Sequence, residues 1–399
     1  MLRHLFTLMW NRKRANGLLI LEIFLAFVVL FVVGSVGVYY WRNYRAPLGF
    51  GYENVWKVQL NAGAQPRAEQ FGSLQRVLAR LRSTPGVVAV SRSVDNTPFA
   101  FSQNSTEFTA LGEKNHPDVY GDVYDAGPEF PQVLGLRMVA GRWFDRRDEA
   151  PARRPPIVIT EQAQAALFPG GESALGKVIQ GSLDKTEEFE VVGVSGSYRA
   201  NGELSEPQPG YFLHISPLDT ARAFTVLLVR VQPGSGAQLE KKLNEEIRAA
   251  SGGWSSNILP LPDERRTQLK VGLALPGILG VVCVFLLVNV ALGLFGVLWL
   301  NISQRRSELG VRRALGATGA AISRQVLGEI LVVTTFGLLL GLAVAAQFPL
   351  LGVFSVKTGV YLTAMALAAV GLYLLATICA LYPSRLAAGI QPAVALREE

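Results

Sequence analysis

The chain has 399 residues, a formal net charge of +7, half of its residues apolar and only 17% charged, with a mean hydropathy of +0.28. Soluble domains carry about 25% charged residues, so this composition excludes an ordinary soluble enzyme, and it equally excludes disordered, collagen-like and disulfide-stapled classes. The two cysteines, Cys283 and Cys379, both lie in long apolar runs, so no disulfide framework holds the chain together.

The first element is an apolar run over 17–40, preceded by Arg3, Arg12, Lys13 and Arg14. It exceeds the 7–15 residues of a signal-peptide core and ends in Tyr39-Tyr40-Trp41, which reads as a retained anchor with an aromatic belt. Polar sequence follows over 41–270, with 26 Lys/Arg and 26 Asp/Glu. Its neutrality argues against an external nucleic-acid or polyanion site.

Within that segment two βαβ patterns stand at the edges. One is strand Val55–Leu60, helix Ala68–Arg82 and strand Val87–Val90; the other is strand Phe224–Val231, helix Ala237–Ala249 and strand Ile258–Leu261. They suggest a split ferredoxin-like lobe beside the membrane, over about 50–105 and 218–265. An inserted α/β distal lobe is expected over about 106–217, with strands near Ile157–Thr160, Glu188–Val194 and Gly210–Ile215 and helices near Pro128–Leu134 and Glu161–Leu167. The Gly and Pro content of 195–210 predicts a mobile loop.

Chemical motifs are sparse here. Gly171 through Gly176-Lys177 fits the first seven positions of a phosphate-binding loop, but Val178 stands where magnesium coordination needs Ser or Thr. The segment also follows a helix rather than a strand, so it reads as a turn. His4, His116 and His214 have no metal-ligand spacing, although folding can still bring His116 and His214 together. The acids Asp145, Asp148, Glu149, Glu187, Glu188 and Glu190 alternate with Arg142, Arg146, Arg147 and Lys185, a pattern of ion-paired surface. No catalytic, cofactor or metal-binding residues are expected in this chain.

Three more apolar runs, over 271–300, 330–351 and 360–382, are each long enough to cross a bilayer. Basic residues set the orientation. Arg305, Arg306, Arg312, Arg313 and Arg324 face one acid, Glu308, over 301–328 of the connector 301–329, whereas the short connector 352–359 has only Lys357. Both termini and the tail 383–399 are therefore expected in the cytoplasm, with 41–270 on the opposite side. Glu22 and Glu329 are intramembrane acids near basic flanks, and pairing at the interface is the expectation for both, their alternative being a functional site. No line of polar residues runs down any span, which lowers the case for a channel or secondary transporter. The connector itself carries Glu308 and Arg312 at i,i+4, with Leu309, Val311 and Leu315 as an apolar stripe, and predicts a short amphipathic helix broken near Gly316. Physics alone leaves open whether it lies passively on anionic lipid.

The connector segment Glu308-Leu-Gly-Val-Arg-Arg-Ala-Leu-Gly-Ala-Thr318 resembles the signature of the FtsX/MacB-type permeases of ATP-binding-cassette systems (type VII). Four further portions are similar to that family: Tyr124 through Leu136 with Ala140-Gly-Arg-Trp-Phe-Asp145; Pro155 through Glu161 with Phe168-Pro-Gly-Gly171; Glu190-Val-Val-Gly-Val194; and the tail from Tyr382-Pro-Ser-Arg385 to Pro392 and Arg397. The resemblance implies a non-catalytic inner-membrane subunit with a MacB-like periplasmic core domain. Such a subunit pairs with a second permease copy or a related permease and recruits a cytoplasmic ABC ATPase, which holds the ATP and magnesium. By position it assigns ATPase coupling to Glu308, Leu309, Gly310, Arg312, Arg313, Ala314, Leu315 and Gly316. It also implies an amphipathic helix within 1–16, including Arg12, Lys13 and Arg14, on the cytoplasmic surface. MacB proteins carry their ATPase on the same chain; here there is no intact phosphate-binding loop, and the ATPase is expected on a separate polypeptide. Mechanotransmission driving export, with a periplasmic adaptor and outer-membrane channel as further partners, is the leading expectation. Lipoprotein release or control of a cell-wall hydrolase by the same fold, and a membrane-anchored receptor without ATPase, are the alternatives.

Overall fold

In the computed structural model the chain runs α1 (Lys13–Arg45), β1 (Val55–Asn61), α2 (Arg67–Arg82), β2 (Val87–Ser93), β3 (Ser105–Ala110), β4 (Val119–Ala126), α3 (Phe130–Leu134) and β5 (Met138–Gly141). It continues with β6 (Pro156–Thr160), α4 (Glu161–Leu167), β7 (Val178–Gly181), β8 (Glu188–Ser195), β9 (Gly210–His214), β10 (Val226–Val231), α5 (Ala237–Ser251) and β11 (Ser255–Pro260). Last come α6 (Leu261–Gln304), α7 (Arg306–Ala314), α8 (Gly319–Ala345), α9 (Gln347–Leu350) and α10 (Thr358–Ala388). The structure describes residues 13–94, 96–111, 117–150, 152–181, 187–215, 226–353 and 356–389. Residues 43–272 form an α+β unit, and the described residues on either side of it a helical one.

In the α+β unit, β11-β1-β10-β2 form an antiparallel run in that order, so the two βαβ segments that open and close the unit contribute two strands each. Helices α2 and α5 carry apolar residues at three- and four-residue spacing. Their buried Leu74, Val77, Leu78, Leu81, Leu243 and Ile247 share one core with Trp56, Val58, Leu227 and Val229 of the strands. Between the helices, Arg80 Nε donates to Glu246 at 2.5 Å.

A single pairing, Ser93 with Ala126, links this run to the remaining strands. Those strands differ from the expected α/β lobe. The pairings β4–β3, β3–β7, β7–β8, β8–β6, β6–β9 and β9–β4 close a six-stranded ring, with β5 added against β8. Strands β3 and β4 are built from STEFTA and VYGDVYDA, whose polar alternate positions conceal them. Phe108, Ile157, Ile159, Ile179, Val191 and Tyr211 form one core with Ala163 and Leu167 of α4. A Cβ at Gly121 would lie 2.6 Å from the Tyr211 ring and 2.5 Å from the Pro209 carbonyl, so glycine is required for β4 and β9 to approach there.

The segment 196–209 also departs from expectation. Instead of a mobile loop it is a strap tied down by hydrogen bonds and buried at Tyr198, Arg199, Ala200, Gly202 and Glu203. Arg199, 2% exposed, donates to the carbonyls of Ala46 (2.7 Å), Glu203 (2.7 Å) and Ser205 (2.6 Å). Asn43 Nδ2 donates to Leu204 O at 3.1 Å, Arg199 N to Leu48 O at 3.0 Å, and Phe99 N to Ala200 O at 2.8 Å, while Glu203 pairs with Arg265. A segment without ladder partners needs such bonds to satisfy its buried backbone.

Among the described residues, four helical segments are long and apolar enough to cross a membrane: Gly17–Arg45, Leu261–Gln304, Gly319–Leu350 and Thr358–Ala388. Within the helical unit, α1 packs closely on α8 at two glycines: a Cβ on Gly337 would lie 2.7 Å from Ile23 Cγ2, and one on Gly341 2.3 Å from Phe27 Cδ1. Helix α10 buries Ala364, Ala368, Leu372, Ala376 and Ala380, a four-residue stripe of mostly small side chains that permits close helix approach. Hydroxyls and amides along the spans bond back to their own helix, as in Thr334 to Ile330 O (2.9 Å), Thr377 to Tyr373 O (2.7 Å) and Asn289 to Phe285 O (2.8 Å).

Candidate functional site

The connector after α6 folds as the short helix α7. Arg305 is its N-cap, Leu315 its C-cap, and Gly316 follows at φ +96°, a conformation that favours glycine. Thr318 then caps α8, its side chain accepting the Ala321 N–H at 3.3 Å. This tight reversal sets the first turns of α8 beside α7 and closes a ring of polar side chains. Arg305 Nε donates to Glu308 Oε2 at 2.9 Å, and its Nη1 to Glu329 Oε2 at 3.0 Å. Arg312 Nη2 donates to Glu308 Oε1 at 2.7 Å, and its Nη1 to Gln325 Oε1 at 2.7 Å. Gln325 Nε2 completes the circuit to Glu329 Oε1 at 3.0 Å. The four charges sum to zero, and the Gln325 amide is oriented because it accepts on one side and donates on the other. Burial opposes the Arg305 charge, but Glu329 and Glu308 more than offset it and raise its pKa above the ordinary value.

The assigned coupling residues fall into three environments. Leu309 and Gly310 are buried, Leu309 joining the core that contains Leu298, Ile322 and Val326. Glu308 and Arg312 belong to the ring, and Arg313 Nη1 donates to Ala388 O at 2.7 Å, a cation on the C-terminal carbonyls of α10. Ala314, Leu315 and Gly316 are exposed, Leu315 at 83%, and Val311 at 43% extends that outward face. Sequence spacing predicted the Glu308–Arg312 pair but missed Gln325, whose only signal is its own i,i+4 relation to Glu329. Lys13 and Arg14 belong to the first turn of α1, whereas Arg12 and the rest of the expected surface helix lie outside the described residues.

Glu329 pairs with Arg305 at 3.0 Å. For Glu22 the expected partners, Arg3, Arg12, Lys13 and Arg14, have side chains outside the described residues, and among the described ones it makes no hydrogen bond or ion pair. Its carboxylate occupies the space beside Gly293 of α6, where a Cβ would lie 2.2 Å from Oε1. At that position α6 has no side chain to offer.

Elsewhere, Lys177 of the phosphate-loop look-alike is paired with Glu172 and lies 4.6 Å from the Phe168 ring centroid, in a turn between α4 and β7. Arg142 pairs with Asp148 at 2.6 Å, Arg147 with Asp145 at 2.6 Å and Arg154 with Glu188 at 2.7 Å. The Arg147 bonds hold the Asp145 carboxyl well below the usual range. Burial pushes the His214 imidazole pKa down, with Asp148 and Glu149 opposing; its Nε2 is buried and its ring packs 5.0 Å from Phe144. His4, His116 and Lys185 lie outside the described residues.

Two family profiles cover most of the chain: a MacB-like periplasmic core domain over residues 17–248 and an FtsX-like permease C-terminal domain over 280–392. The macrolide export ATP-binding/permease protein MacB of Chromobacterium violaceum is 27% identical over 288 residues, which cover 71% of this chain and 44% of that protein. Its counterpart from Nitrosomonas europaea is 27% identical over 360 residues, 83% of this chain and 52% of that one. The chain thus spans about half the length of the relatives it matches. Among solved structures, the periplasmic region of MacB from Actinobacillus actinomycetemcomitans aligns at 18% identity and TM-score 0.37, covering 54% of this chain and 92% of that one. With its four apolar helices, a periplasmic core domain and a permease domain, the chain belongs to the MacB-type permeases of ABC transporters, the family of FtsX-like membrane proteins.

Proposed function

We propose that this chain is the non-catalytic permease component of an ABC exporter, and that ATP and magnesium bind an ATPase that is not part of residues 1–399. In this reading α7 is the cytoplasmic docking element, two permease copies pair in the inner membrane with their termini in the cytoplasm, and ATP binding moves the periplasmic unit. The run β11-β1-β10-β2 with α2 and α5 is read as a ferredoxin-like lobe and the six-stranded ring as the lobe that meets cargo or a periplasmic adaptor. Relatives named for macrolide export support a drug-like substrate taken from the periplasm outward.

The observation that carries the reading is the arrangement of α7. A neutral polar ring and the buried Leu309 fix the helix, so that Val311, Ala314 and Leu315 present a preorganised apolar face. Ordering such a face before docking lowers the cost of association. Co-expression with its ATPase tests this. The wild type retains the ATPase through purification and couples its hydrolysis to substrate; the variant Val311→Glu/Leu315→Glu loses that retention by about 30-fold or more, as for two central apolar contacts. Undiminished retention and coupling in that variant sinks the docking assignment.

A further inference from the structure

At the end of the helical unit where α1 finishes and α10 begins, the helices leave a cleft of about 250 Å³. Phe31, Ser35, Val36, Phe348, Val360 and Tyr361 are among its walls. The rings are packed on one another, Phe31 to Phe348 at 5.3 Å and Phe348 to Tyr361 at 6.0 Å between centroids. The hydroxyls of Ser35 and Tyr361 are already used: Ser35 Oγ donates to Phe31 O and Tyr361 Oη to Val353 O, both at 2.7 Å. What these walls offer an occupant is therefore apolar surface. The volume lies below the usual range of about 300–1,000 Å³ for whole small-molecule sites and suits a length of chain.

Two cations stand at the rim. Arg42 follows the α1 residues that line the cleft, and its Nη1 lies 3.7 Å from the position of a Cβ on Gly359. Lys357 is the N-cap of α10, two residues before that glycine, and Val360 of the cleft wall comes directly after it. Both cations are exposed, and among the described residues neither makes a hydrogen bond or an ion pair. Among the described residues of the helical unit, no acid compensates them. Glu22 is some twenty residues back along α1, about 30 Å at the helical rise, and Glu308 and Glu329 are held in the polar ring.

Uncompensated cations above an apolar cleft in a membrane-spanning bundle match the charge pattern of one kind of molecule, an amphiphile with an anionic head and a hydrocarbon tail. We propose that this end of the helical unit binds one anionic phospholipid of the surrounding bilayer, its phosphate between Arg42 and Lys357 and part of one acyl chain in the cleft. A zwitterionic lipid brings its own cation beside the phosphate and gains less from the two side chains. The proposal rests on the membrane placement of the four helices and not on the transport reading.

Native mass spectrometry of the full chain, released from micelles titrated with phosphatidylglycerol or phosphatidylcholine of identical acyl chains, tests it. The wild type is expected to retain one phosphatidylglycerol per chain with about 30-fold preference, the effect of two basic residues at a membrane surface. Arg42→Gln/Lys357→Gln should abolish the preference, and Val36→Phe, which fills the cleft, should lower retention of both lipids. A wild type without preference, or a double variant that keeps it, overturns the proposal. Because Arg42 and Lys357 are exposed and make no hydrogen bond or ion pair among the described residues, that result stands even if Val36→Phe misfolds.

Discussion

The two ends of the helical unit use the same residue types to opposite effect. At α7, Arg305 and Arg312 each reach an acid, and Glu308, Gln325 and Glu329 close the circuit. At the start of α10, Arg42 and Lys357 meet no acid among the described residues. Paired charges have lost their reach: their geometry is fixed, their field cancels, and they serve to hold a neighbouring apolar face in place. Unpaired charges keep their field and select a ligand. The contrast comes from spacing, since α7 carries Glu308 between two arginines at i,i+3 and i,i+4, whereas Lys357, the N-cap of α10, has no acid in the turn that follows it.

The sharpest way to break the contrast is Arg305→Ala. Arg305 is the one ring member that bonds both acids, and its side chain is only 13% exposed. Its loss leaves Glu329 half-buried without a cation and should cost about 3 kcal/mol, as when one partner of a buried pair is removed. Denaturant titration in mixed micelles measures it; a variant as stable as the wild type would show that the ring does not hold α7. Arg305→Lys should recover part of the loss only, because one ammonium cannot serve two carboxylates as a guanidinium fork does.

Next in size is the cap. Thr318→Ala removes the acceptor for the Ala321 N–H at the turn that brings α8 beside α7 and should cost about 1 kcal/mol in the same titration. Arg312→Ala should cost less, about 0.5 kcal/mol, since its side chain is 37% exposed. Combined with Gln325→Ala it should show a coupling of about 0.5 kcal/mol or more, because both sit in one network. Strict additivity would place Gln325 outside the ring.

How much of this was legible follows from the range of each interaction. The Glu308–Arg312 pair and the four spans are local patterns, and the sequence carries them openly. Gln325 is a neutral residue whose role exists only once Gly316 and Thr318 have turned the chain. The six-stranded ring is closed by β4 and β9, whose partners Asp122 and Gly210 are distant in sequence, and by strands whose outer faces are polar. The strap 196–209 was misread for a related reason: Gly and Pro content signals the absence of a ladder, but not the Arg199 guanidinium that replaces one by bonding three carbonyls. Arg42 and Lys357 look in sequence like ordinary flanking residues; only the fold brings Arg42 to Gly359, two residues after Lys357.

The smallest expected effect therefore sharpens the comparison most. In lipid-free micelles Arg42→Gln/Lys357→Gln should leave stability within about 0.5 kcal/mol of the wild type, as for surface substitutions that remove no contact. With phosphatidylglycerol present the wild type should gain stability as the logarithm of lipid concentration over the dissociation constant, and the double variant should not. The same two residues would then be silent without ligand and effective with it. The α7 ring cannot behave that way, because its cations already spend their interactions inside the chain. A loss of stability in the double variant before any lipid is added would reveal an intramolecular partner for Arg42 or Lys357, and the two ends would no longer differ in kind.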